Sequence, residues 1–448
     1  MSGSPRDTLA SDEILARLTA LHPKMIDLSL GRIERLLGKL GHPERRLPPV
    51  IHVAGTNGKG SVSAMASAAL TRAGLRVGRY TSPHLFRVEE RIALDGEAVS
   101  EAVLSAALGR VFAAADALVA RGELAEMPTF FEVSTAAAFL IFADAQVDVA
   151  VVEVGLGGRF DATNVITPVA GAITTIDFDH ERHLGTTIAA IAREKAGIAK
   201  AGVPLVVGDV PDDALHVIEG MARHAGAPVT RARHEAAVEV VLDEGHARLT
   251  VRTPVGQYGP VRLGLAGAHQ AGNALVAIRL LEAFAAVTGT RVPGEAVAGA
   301  LADVRWPARL EWLRHPASGA RVLVDAAHNP ASARALADYL EQTGTSGLTL
   351  VTSVMADKNV AGVVGPLLPF VGRVVVTAAH SPRATAPAVL AAQVAALGPA
   401  DLVVEIVAEP ERAVARALAL PAPVLLTGSI YLVGPLRAAL VADGFEGA

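Results

Sequence analysis

The sequence predicts an α/β protein made of two α/β units, and three stretches of the chain support this prediction. Residues 50–54 form a short apolar run that leads through a glycine-rich turn into a helix with apolar residues at helical spacing. From residue 321 onward, five apolar runs alternate with helical stretches, an order that is typical of a mostly parallel sheet. Residues 238–265 instead alternate apolar and polar side chains, which predicts a small antiparallel β region before the second unit.

The boundary between the two units is expected within residues 290–307, where Val-Pro-Gly and Trp-Pro interrupt the pattern. A chain of 448 residues corresponds to two to three domains, on a prior of about 150 residues for each domain. We therefore expect one domain in residues 1–304 and a smaller one in residues 305–448. In the first domain, one apolar face is predicted for the helix after the glycine turn, and another helix is predicted between residues 273 and 284.

Composition excludes several classes of function. The formal charge of -5 argues against a general nucleic-acid binder, which normally carries a basic surface. The polar residues 1–12 lack the apolar core of a signal peptide, and no uninterrupted apolar stretch approaches the ~18 residues of a membrane span. The absence of cysteine excludes disulfides, thiolate zinc sites and a cysteine nucleophile. We expect a soluble cytoplasmic protein that binds neither membrane nor nucleic acid.

A phosphate-binding loop is predicted between the first strand and its helix. Glycines let backbone N–H groups approach phosphate oxygens, the helix N-terminus adds positive potential, Lys59 adds a charge and Ser61 a hydroxyl. In the usual motif a Ser or Thr follows the lysine directly, whereas Gly60 intervenes here. The structural alternative is an ordinary glycine-rich turn. The loop consists of Gly55, Thr56, Asn57, Gly58, Lys59, Gly60 and Ser61.

A magnesium site is predicted at the ends of two further strands. Glu153 ends an apolar run beside a second glycine-rich stretch, where a phosphate-bound Mg²⁺ usually finds a protein ligand. His180 follows the next strand and could ligate a metal, although a lone histidine near acids is as often a surface residue. Spacing alone does not distinguish Lys195 from a solvated lysine, nor Phe130 and Phe131 from core residues. The residues thus indicate an ATP-using enzyme of two domains.

Five motifs in this order resemble the folylpolyglutamate synthase/dihydrofolate synthase family over nearly the whole chain. They are the loop at residues 55–61, Ser-Pro-His-Leu at 82–85, residues 153–164, Glu-Lys-Ala-Gly-Ile at 194–198, and Asp-Ala-Ala-His-Asn-Pro at 325–330. The family's loop carries glycine after the lysine, so Gly60 fits it. The resemblance implies an N-terminal P-loop ATPase domain like the central domain of Mur ligases, with a small antiparallel β region, and a smaller Rossmann-like C-terminal domain.

The resemblance also implies a nucleotide site, a metal site and catalytic residues. ATP would be held by the loop residues Gly55 to Ser61 together with Asn273, Arg309 and Asp325. The Mg²⁺ ligands would be Ser82, Glu153, His180 and Lys195, the last as a carbamate formed with CO₂. The catalytic residues would be Lys59, Lys195 and His328.

Substrate-binding residues follow from the same resemblance. One departure is Ser29, where a relative commonly has glycine. His328 and Ser429 are assigned to the handling of glutamate or phosphate. The pterin-binding segments would be Asp27, Leu28, Ser29 and Leu30, then Thr129, Phe130, Phe131 and Glu132, and finally Phe160, Asp161 and Ala162.

The implied function is ATP-dependent addition of L-glutamate to dihydropteroate or to the glutamate tail of a reduced folate. The acceptor carboxylate would attack the γ-phosphate to give an acyl phosphate, and the amine of glutamate would then displace phosphate. We expect a monomer with these small molecules, ATP and Mg²⁺ as its ligands. The alternatives are a Mur-type or cyanophycin-type amide ligase with another carboxylate substrate, and a P-loop NTPase switch that acts on a partner.

Overall fold

The first sheet brings the predicted phosphate-binding loop to the middle of the molecule. In the computed structural model, which describes residues 11–21 and 29–447, this sheet has eight strands in the order β4-β3-β2-β5-β1-β6-β7-β8. All neighbours pair in parallel except β2 with β3 and β3 with β4. The strands are β1 (Val50–Ala54), β2 (Val77–Tyr80), β3 (Ile92–Leu94), β4 (Glu97–Ala98), β5 (Val149–Glu153), β6 (Ala170–Ile173), β7 (Leu205–Val207) and β8 (Val229–Arg231).

Helices cover both faces of this sheet, as the alternation of strands and helices predicts. They are α1 (Ser11–Ala20), α2 (Gly31–Lys39), α3 (Lys59–Arg72), α4 (Glu101–Ala120), α5 (Phe130–Ala145), α6 (Glu181–Leu184), α7 (Ile188–Ala196), α8 (Asp212–Ala225), α9 (His269–Thr288) and α10 (Gly294–Asp303). Short 3₁₀ turns lie at Pro43–Arg45, Val88–Arg91 and Ala162–Val165.

Helix α3 is buried on nearly every side, so the prediction of a single apolar face is wrong. Residues 61–67 of this helix are all buried. The physical reason is that α9 and α10 pack on the side that faces away from the sheet. Small residues such as Ser63 and Ala66 permit this packing because they occupy little space between the surrounding elements. The helix that carries the loop is therefore held rigidly at its N-terminus.

The small antiparallel sheet is present where it is predicted. Its strands are β9 (Ala237–Asp243), β10 (His246–Arg252) and β11 (Gln257–Ala266), in the order β11-β10-β9. Helix α9 follows and starts at His269, earlier than the predicted start at residue 273. Asn273 therefore lies on the second turn of a helix, which fixes the direction in which its side chain points.

The second large sheet is mostly parallel, as predicted. Within the described residues it has seven strands in the order β16-β15-β14-β17-β13-β12-β18, and all neighbours pair in parallel except β13 with β12 and β12 with β18. The strands are β12 (Glu311–Arg314), β13 (Arg321–Val324), β14 (Leu348–Thr352), β15 (Val371–Val376), β16 (Val403–Ile406), β17 (Val424–Thr427) and β18 (Glu446–Gly447). The helices are α11 (Pro330–Gln342), α12 (Val360–Val364), α13 (Pro387–Leu397), α14 (Pro410–Leu418) and α15 (Ile430–Ala442), with a 3₁₀ turn at Gly365–Phe370.

Residues 304–310 connect the two large sheets, since α10 ends at Asp303 and β12 begins at Glu311. The division of the chain into domains between residues 304 and 305 stays a prediction. Two helices, α4 and α9, are long and apolar enough to cross a membrane by length and composition. Half of the apolar window in α4 and 67% of that in α9 are buried inside the protein, where both helices belong to the apolar core.

Candidate active site

The phosphate-binding loop has the geometry that its glycines predict. Gly58 precedes α3 with a φ of 85°, in the left-handed region that favours glycine. A Cβ at this position would lie 2.3 Å from Oδ1 of Asn273. A Cβ on Gly60 would lie 3.0 Å from the indole nitrogen of Trp306. Glycine after the lysine therefore has a structural reason, because the indole ring occupies the space beside it.

Lys59 is the first residue of α3, and its side chain folds back over the loop. Its Nζ donates to the carbonyl oxygens of Gly55 at 3.1 Å and Thr56 at 3.2 Å. The same nitrogen lies 4.0 Å from Oε1 of Glu153. The loop itself is anchored to the end of β6, where the backbone N–H of Asn57 donates to Thr175 Oγ1 at 3.0 Å. A cation is thus held at the N-terminus of α3, beside a buried carboxylate.

The loop lines a cavity of about 620 Å³, in which most of the predicted nucleotide and metal residues meet. Gly55 is not among the residues that line it, because Gly55 packs against Thr174 below the loop. The predicted residues that do line it are Thr56, Asn57, Gly58, Lys59, Gly60, Ser61, Ser82, Glu153, His180, Lys195, Asn273, Arg309, Asp325 and His328.

Glu153 ends β5 as a buried carboxylate. Burial raises the pKa of Glu153 from 4.5 to about 7, although the nearby charge of Lys59 and a hydrogen bond from the Ser82 backbone act in the opposite direction. That hydrogen bond joins Ser82 N and Glu153 Oε2 at 3.4 Å. Such a group gains from a cation that stabilises its ionised form, which is consistent with a metal ligand.

Lys195 is buried, so its interpretation as a solvated surface lysine is wrong. Only 5% of the residue is exposed, and Nζ donates to the carbonyl of Gly55 at 2.8 Å. The second glycine loop approaches α7 so closely that a Cβ on Gly158 would lie 2.9 Å from the Lys195 carbonyl oxygen. Burial, and secondarily the charge of Lys59, lowers the pKa of Lys195 from 10.5 to about 7. Much of the amine is therefore neutral near pH 7.

Arg309 lies in the segment between the two sheets, Asp325 directly follows β13, and both line this cavity. Both carboxylate oxygens of Asp325 accept backbone hydrogen bonds, from Leu310 N and Ala327 N at 2.8 Å each. Burial raises the pKa of Asp325, and the charge of Arg309 opposes this shift. Asp325 thereby fixes the backbone around Arg309, and Ala308 and Leu310 on either side both have positive φ.

A larger cavity of about 1150 Å³ adjoins the first one, and it contains most of the predicted substrate residues. Leu30 does not line it and instead precedes α2, while Asp27 and Leu28 lie outside the described residues. The predicted residues in its wall are Ser29, Thr129, Phe130, Phe131, Glu132, Phe160, Asp161, Ala162, His328 and Ser429.

Glu132 is a buried carboxylate in the wall of this cavity. Oε2 of Glu132 accepts from Arg32 Nε at 2.7 Å and from both the N–H and the hydroxyl of Thr129. Oε1 of Glu132 is buried and has no hydrogen-bond partner in the part of the chain that the structure describes. The rings of Phe130 and Phe131, from the same helix, also line this cavity. The cavity therefore combines aromatic side chains with a buried ion pair in its wall.

The sequence analysis missed a polar cluster that joins the two large sheets. Asp179 accepts from Asn329 Nδ2 at 3.0 Å and pairs with the Lys358 ammonium, and His328 Nε2 lies 3.5 Å from it. Burial alone would raise the pKa of Asp179, but the His328 hydrogen bond and the charge of Lys358 hold it well below its usual range. The acid-rich end of β6 was the available signal. Nothing in the local pattern marks Lys358.

The wall between the two cavities is formed by residues from both sheets. It consists of Ser82, Pro83, Gly155, Leu156, Asp177, Asp179, His180, Arg309, Ala326 and His328. Burial lowers the pKa of His180 from 6.5 to about 3, so its imidazole is neutral and free of the charge that would repel a metal. Among residues 11–21 and 29–447, no group of three or more His, Asp or Glu side chains is arranged to hold a metal by itself.

Comparison with known families places this arrangement among the Mur ligases. Residues 53–281 match the Mur ligase middle domain, and residues 308–430 match the Mur ligase glutamate ligase domain. The fold and the site therefore define a Mur-type ligase.

Individual relatives narrow this class. The dihydrofolate synthase/folylpolyglutamate synthase of Mycobacterium tuberculosis is 43% identical over 377 residues, 80% of this chain and 76% of that protein. The Bacillus subtilis protein of the same name is 38% identical over 73% of this chain and 76% of its own length. The chain belongs to the dihydrofolate synthase/folylpolyglutamate synthase family.

Solved structures agree with this assignment. Mycobacterium tuberculosis folylpolyglutamate synthase complexed with ADP superimposes with a TM-score of 0.88 at 38% identity, over 96% of this chain and 98% of that one. Escherichia coli FolC in complex with DHPP and ADP gives a TM-score of 0.85 at 30% identity, over 98% and 100% of the two chains. The predicted family and fold class are confirmed.

Proposed function

We propose that this protein uses ATP to join L-glutamate to dihydropteroate, to the glutamate tail of a reduced folate, or to both. The observation that carries the proposal is the common wall of the two cavities. One cavity is lined by a phosphate-binding loop, and the other is lined by aromatic rings, among them those of Phe130, Phe131 and Phe160. A carboxylate at the end of an aromatic substrate in the larger cavity would therefore face the terminal phosphate of a nucleotide in the smaller one.

The reaction has two balanced steps. An oxygen of the acceptor carboxylate attacks the γ-phosphorus, the bond to the bridging oxygen breaks, and ADP leaves with that electron pair. The glutamate amine then attacks the acyl carbon, loses a proton, and displaces inorganic phosphate as the amide forms. We assign Lys59 and the N-terminus of α3 to the stabilisation of charge on the transferred phosphoryl group. Closure of the two α/β units over the cavities would exclude water from the acyl phosphate.

The residues fit Mg²⁺, and its ligands are proposed to be Ser82, Glu153, His180 and modified Lys195. All four line the same cavity as Lys59, and three of them, Glu153, His180 and Lys195, have pKa values shifted by burial. A protein site with few carboxylates suits Mg²⁺, which usually completes its shell with waters and substrate phosphates. When bound, the ion would neutralise phosphate charge.

Carbamylation of Lys195 is proposed because its burial favours a neutral amine. The free electron pair of Nζ forms a bond to the carbon of CO₂, one C–O π pair moves to oxygen, and the nitrogen loses a proton. The product is an anion that supplies oxygen atoms, which Mg²⁺ prefers to an ammonium. Near pH 7 the lowered pKa of Lys195 makes much of the amine available for this reaction.

For the larger cavity, we propose that the pterin ring rests beside Phe130, Phe131 and Phe160, which line it. His328 and Ser429, which also line this cavity, are proposed to handle glutamate or phosphate. Several further expectations stay predictions. They are the nucleotide roles of Asn273, Arg309 and Asp325, the domains at residues 1–304 and 305–448, the monomeric state, the cytoplasmic location and the absence of membrane or nucleic-acid partners.

ADP release with dihydropteroate or tetrahydrofolate, each with and without L-glutamate, tests the proposed function. We expect release that requires both an acceptor and glutamate, with one amide formed for each ADP. Release at an equal rate without glutamate would indicate an NTPase switch. Glutamate ligation to a different carboxylate, with neither pterin substrate accepted, would indicate another Mur-type ligase.

Lys195→Ala tests the carbamate, with Lys200→Ala as a control on the half-buried lysine that follows α7. We expect Lys195→Ala to lose most activity while it keeps its unfolding midpoint, and acetate or formate to restore part of the rate. Lys200→Ala should retain activity. Carbon-13 NMR of the wild type under labelled CO₂ should show one carbamate signal that Lys195→Ala lacks. An active enzyme without that signal, or a fully active Lys195→Ala, would contradict the assignment.

A further inference from the structure

Three buried polar side chains connect β1, which leads into the phosphate-binding loop, to the second glycine loop. His52 lies in β1 with no exposed surface, and its Nε2 is 2.8 Å from Oγ1 of Thr163. Thr163 Oγ1 donates to Oδ1 of Asp161 at 2.6 Å. Oδ2 of Asp161 in turn accepts from the backbone N–H of Leu156 at 2.8 Å. The connection therefore runs from strand to loop through hydrogen bonds alone.

The direction of each hydrogen bond follows from the number of protons. Asp161 also accepts from the N–H of Thr163 at 3.0 Å. Burial raises the pKa of Asp161, while its hydrogen bonds from Thr163 and Leu156 oppose this shift and favour the ionised acceptor. The single hydroxyl proton of Thr163 is used on this carboxylate, and Thr163 Oγ1 must accept from His52. His52 is accordingly the neutral tautomer with its proton on Nε2. Burial, with a smaller contribution from the charge of Lys200, lowers the pKa of His52 to about 3.

His52 destabilises the fold, so its presence in β1 is not explained by stability. Nδ1 of His52 is buried and lacks a hydrogen-bond partner among the described residues. An unsatisfied buried acceptor destabilises a fold, and every other residue of β1 is apolar. A residue that costs stability in the centre of a sheet is expected to serve a site.

The loop that this connection holds belongs to both cavities. Gly155 and Leu156 line the wall between them. The ring of Phe131 lies against Gly155, where a Cβ would approach it to 2.4 Å. A shift of this loop by a fraction of an ångström would therefore change the distance between the acceptor carboxylate and the nucleotide, whereas the phosphate-binding loop would keep its own contacts.

We propose that His52 is a positioning residue that acts through Thr163 and Asp161 to hold the second glycine loop in register with the phosphate-binding loop. This inference rests on the proposed function, because it concerns the alignment of acceptor and ATP. His52 is buried and cannot touch the substrate, and we infer that it nevertheless affects the rate of ligation. We expect the effect on turnover and not on ADP affinity, since the residues predicted to hold the phosphates lie on the first loop.

Pairs of substitutions at Thr163 and His52 distinguish a positioning role from a purely structural one. Thr163→Val keeps the shape and removes the hydroxyl, while Thr163→Ser keeps the hydroxyl. His52→Leu removes the Nε2 donor, and His52→Gln retains an N–H at the end of the side chain. We expect kcat for ligation to fall about tenfold in the Val and Leu variants and to stay within about twofold in the Ser and Gln variants. The Kd for ADP should be unchanged in all four.

The double variant His52→Leu/Thr163→Val should be no slower than either single variant, because both break the same connection. Nitrogen-15 NMR of labelled histidine gives a second measurement that needs no variant, and it should show His52 protonated on Nε2 from pH 5 to pH 8. A wild-type kcat in both Thr163→Val and His52→Leu, or a His52 that titrates in this range, would overturn the inference. A wild type that ligates no glutamate would instead refute the proposed function.

Discussion

Gly58→Ala is the substitution for which the structure gives the clearest expected magnitude. A residue with a side chain at a φ of 85° costs about 1–2 kcal/mol. The new Cβ would lie 2.3 Å from Oδ1 of Asn273, so that side chain must move and lose its 2.9 Å hydrogen bond to Gln270. That loss adds about 1 kcal/mol. We expect a destabilisation of about 2–3 kcal/mol, which urea unfolding can measure.

Gly74→Ala is the matched control, because Gly74 follows the other end of the same helix with a φ of 90° and open space around its Cβ position. This variant should lose only the backbone term of about 1–2 kcal/mol and keep the wild-type affinity for ADP. Gly58→Ala should weaken ADP binding at least about tenfold, because displaced backbone N–H groups no longer converge on phosphate. Wild-type ADP affinity in a folded Gly58→Ala would refute the phosphate-binding loop.

Two further variants test the buried charges. The pKa of Glu153 is raised to about 7 in the folded protein, so its carboxyl ionises less readily there than in the unfolded chain. Without ligands, the free energy of unfolding of the wild type should therefore fall by about 3 kcal/mol relative to that of Glu153→Gln as the pH rises from 4.5 to 7. A difference between the two proteins in urea unfolding that does not change with pH would contradict this. Lys358→Met leaves Asp179 buried without its cation and should cost about 3 kcal/mol at pH 7. The double variant Asp179→Asn/Lys358→Met should recover at least half of that loss, and an equally unstable double variant would contradict the ion pair's role.

Structural features formed by residues that are close together in the sequence could be predicted from the sequence. The strand, the glycine loop and α3 are consecutive, and the second sheet follows from alternation along the chain. Glu153 was predicted correctly to end a buried strand, because an acid after an apolar run is visible in the sequence. The start of α9 was placed too late, since Gly272 near its N-terminus suggested a loop but lies within the helix.

The remaining features depend on contacts between distant parts of the chain. The buried amine of Lys195 meets the carbonyl of Gly55, 140 residues earlier in the chain, a contact that helical spacing does not reveal. Gly60 is required by Trp306, a residue from the connection between the two sheets. Asp179 and Lys358 meet only because the sheets lie beside one another. No local pattern carries such information, and only the family resemblance indicated that Lys195 has a role.

Transfer of oxygen from the acceptor tests the central claim most directly. Dihydropteroate labelled with oxygen-18 in its carboxylate, or tetrahydrofolate labelled in its terminal γ-carboxylate, is converted in the presence of ATP and L-glutamate. The inorganic phosphate is then analysed by mass spectrometry. If the carboxylate attacks the γ-phosphate across the shared wall, each turnover places one oxygen-18 atom in phosphate. Phosphate free of the label, with the amide formed at the normal rate, would contradict the acyl phosphate and the alignment of the two cavities.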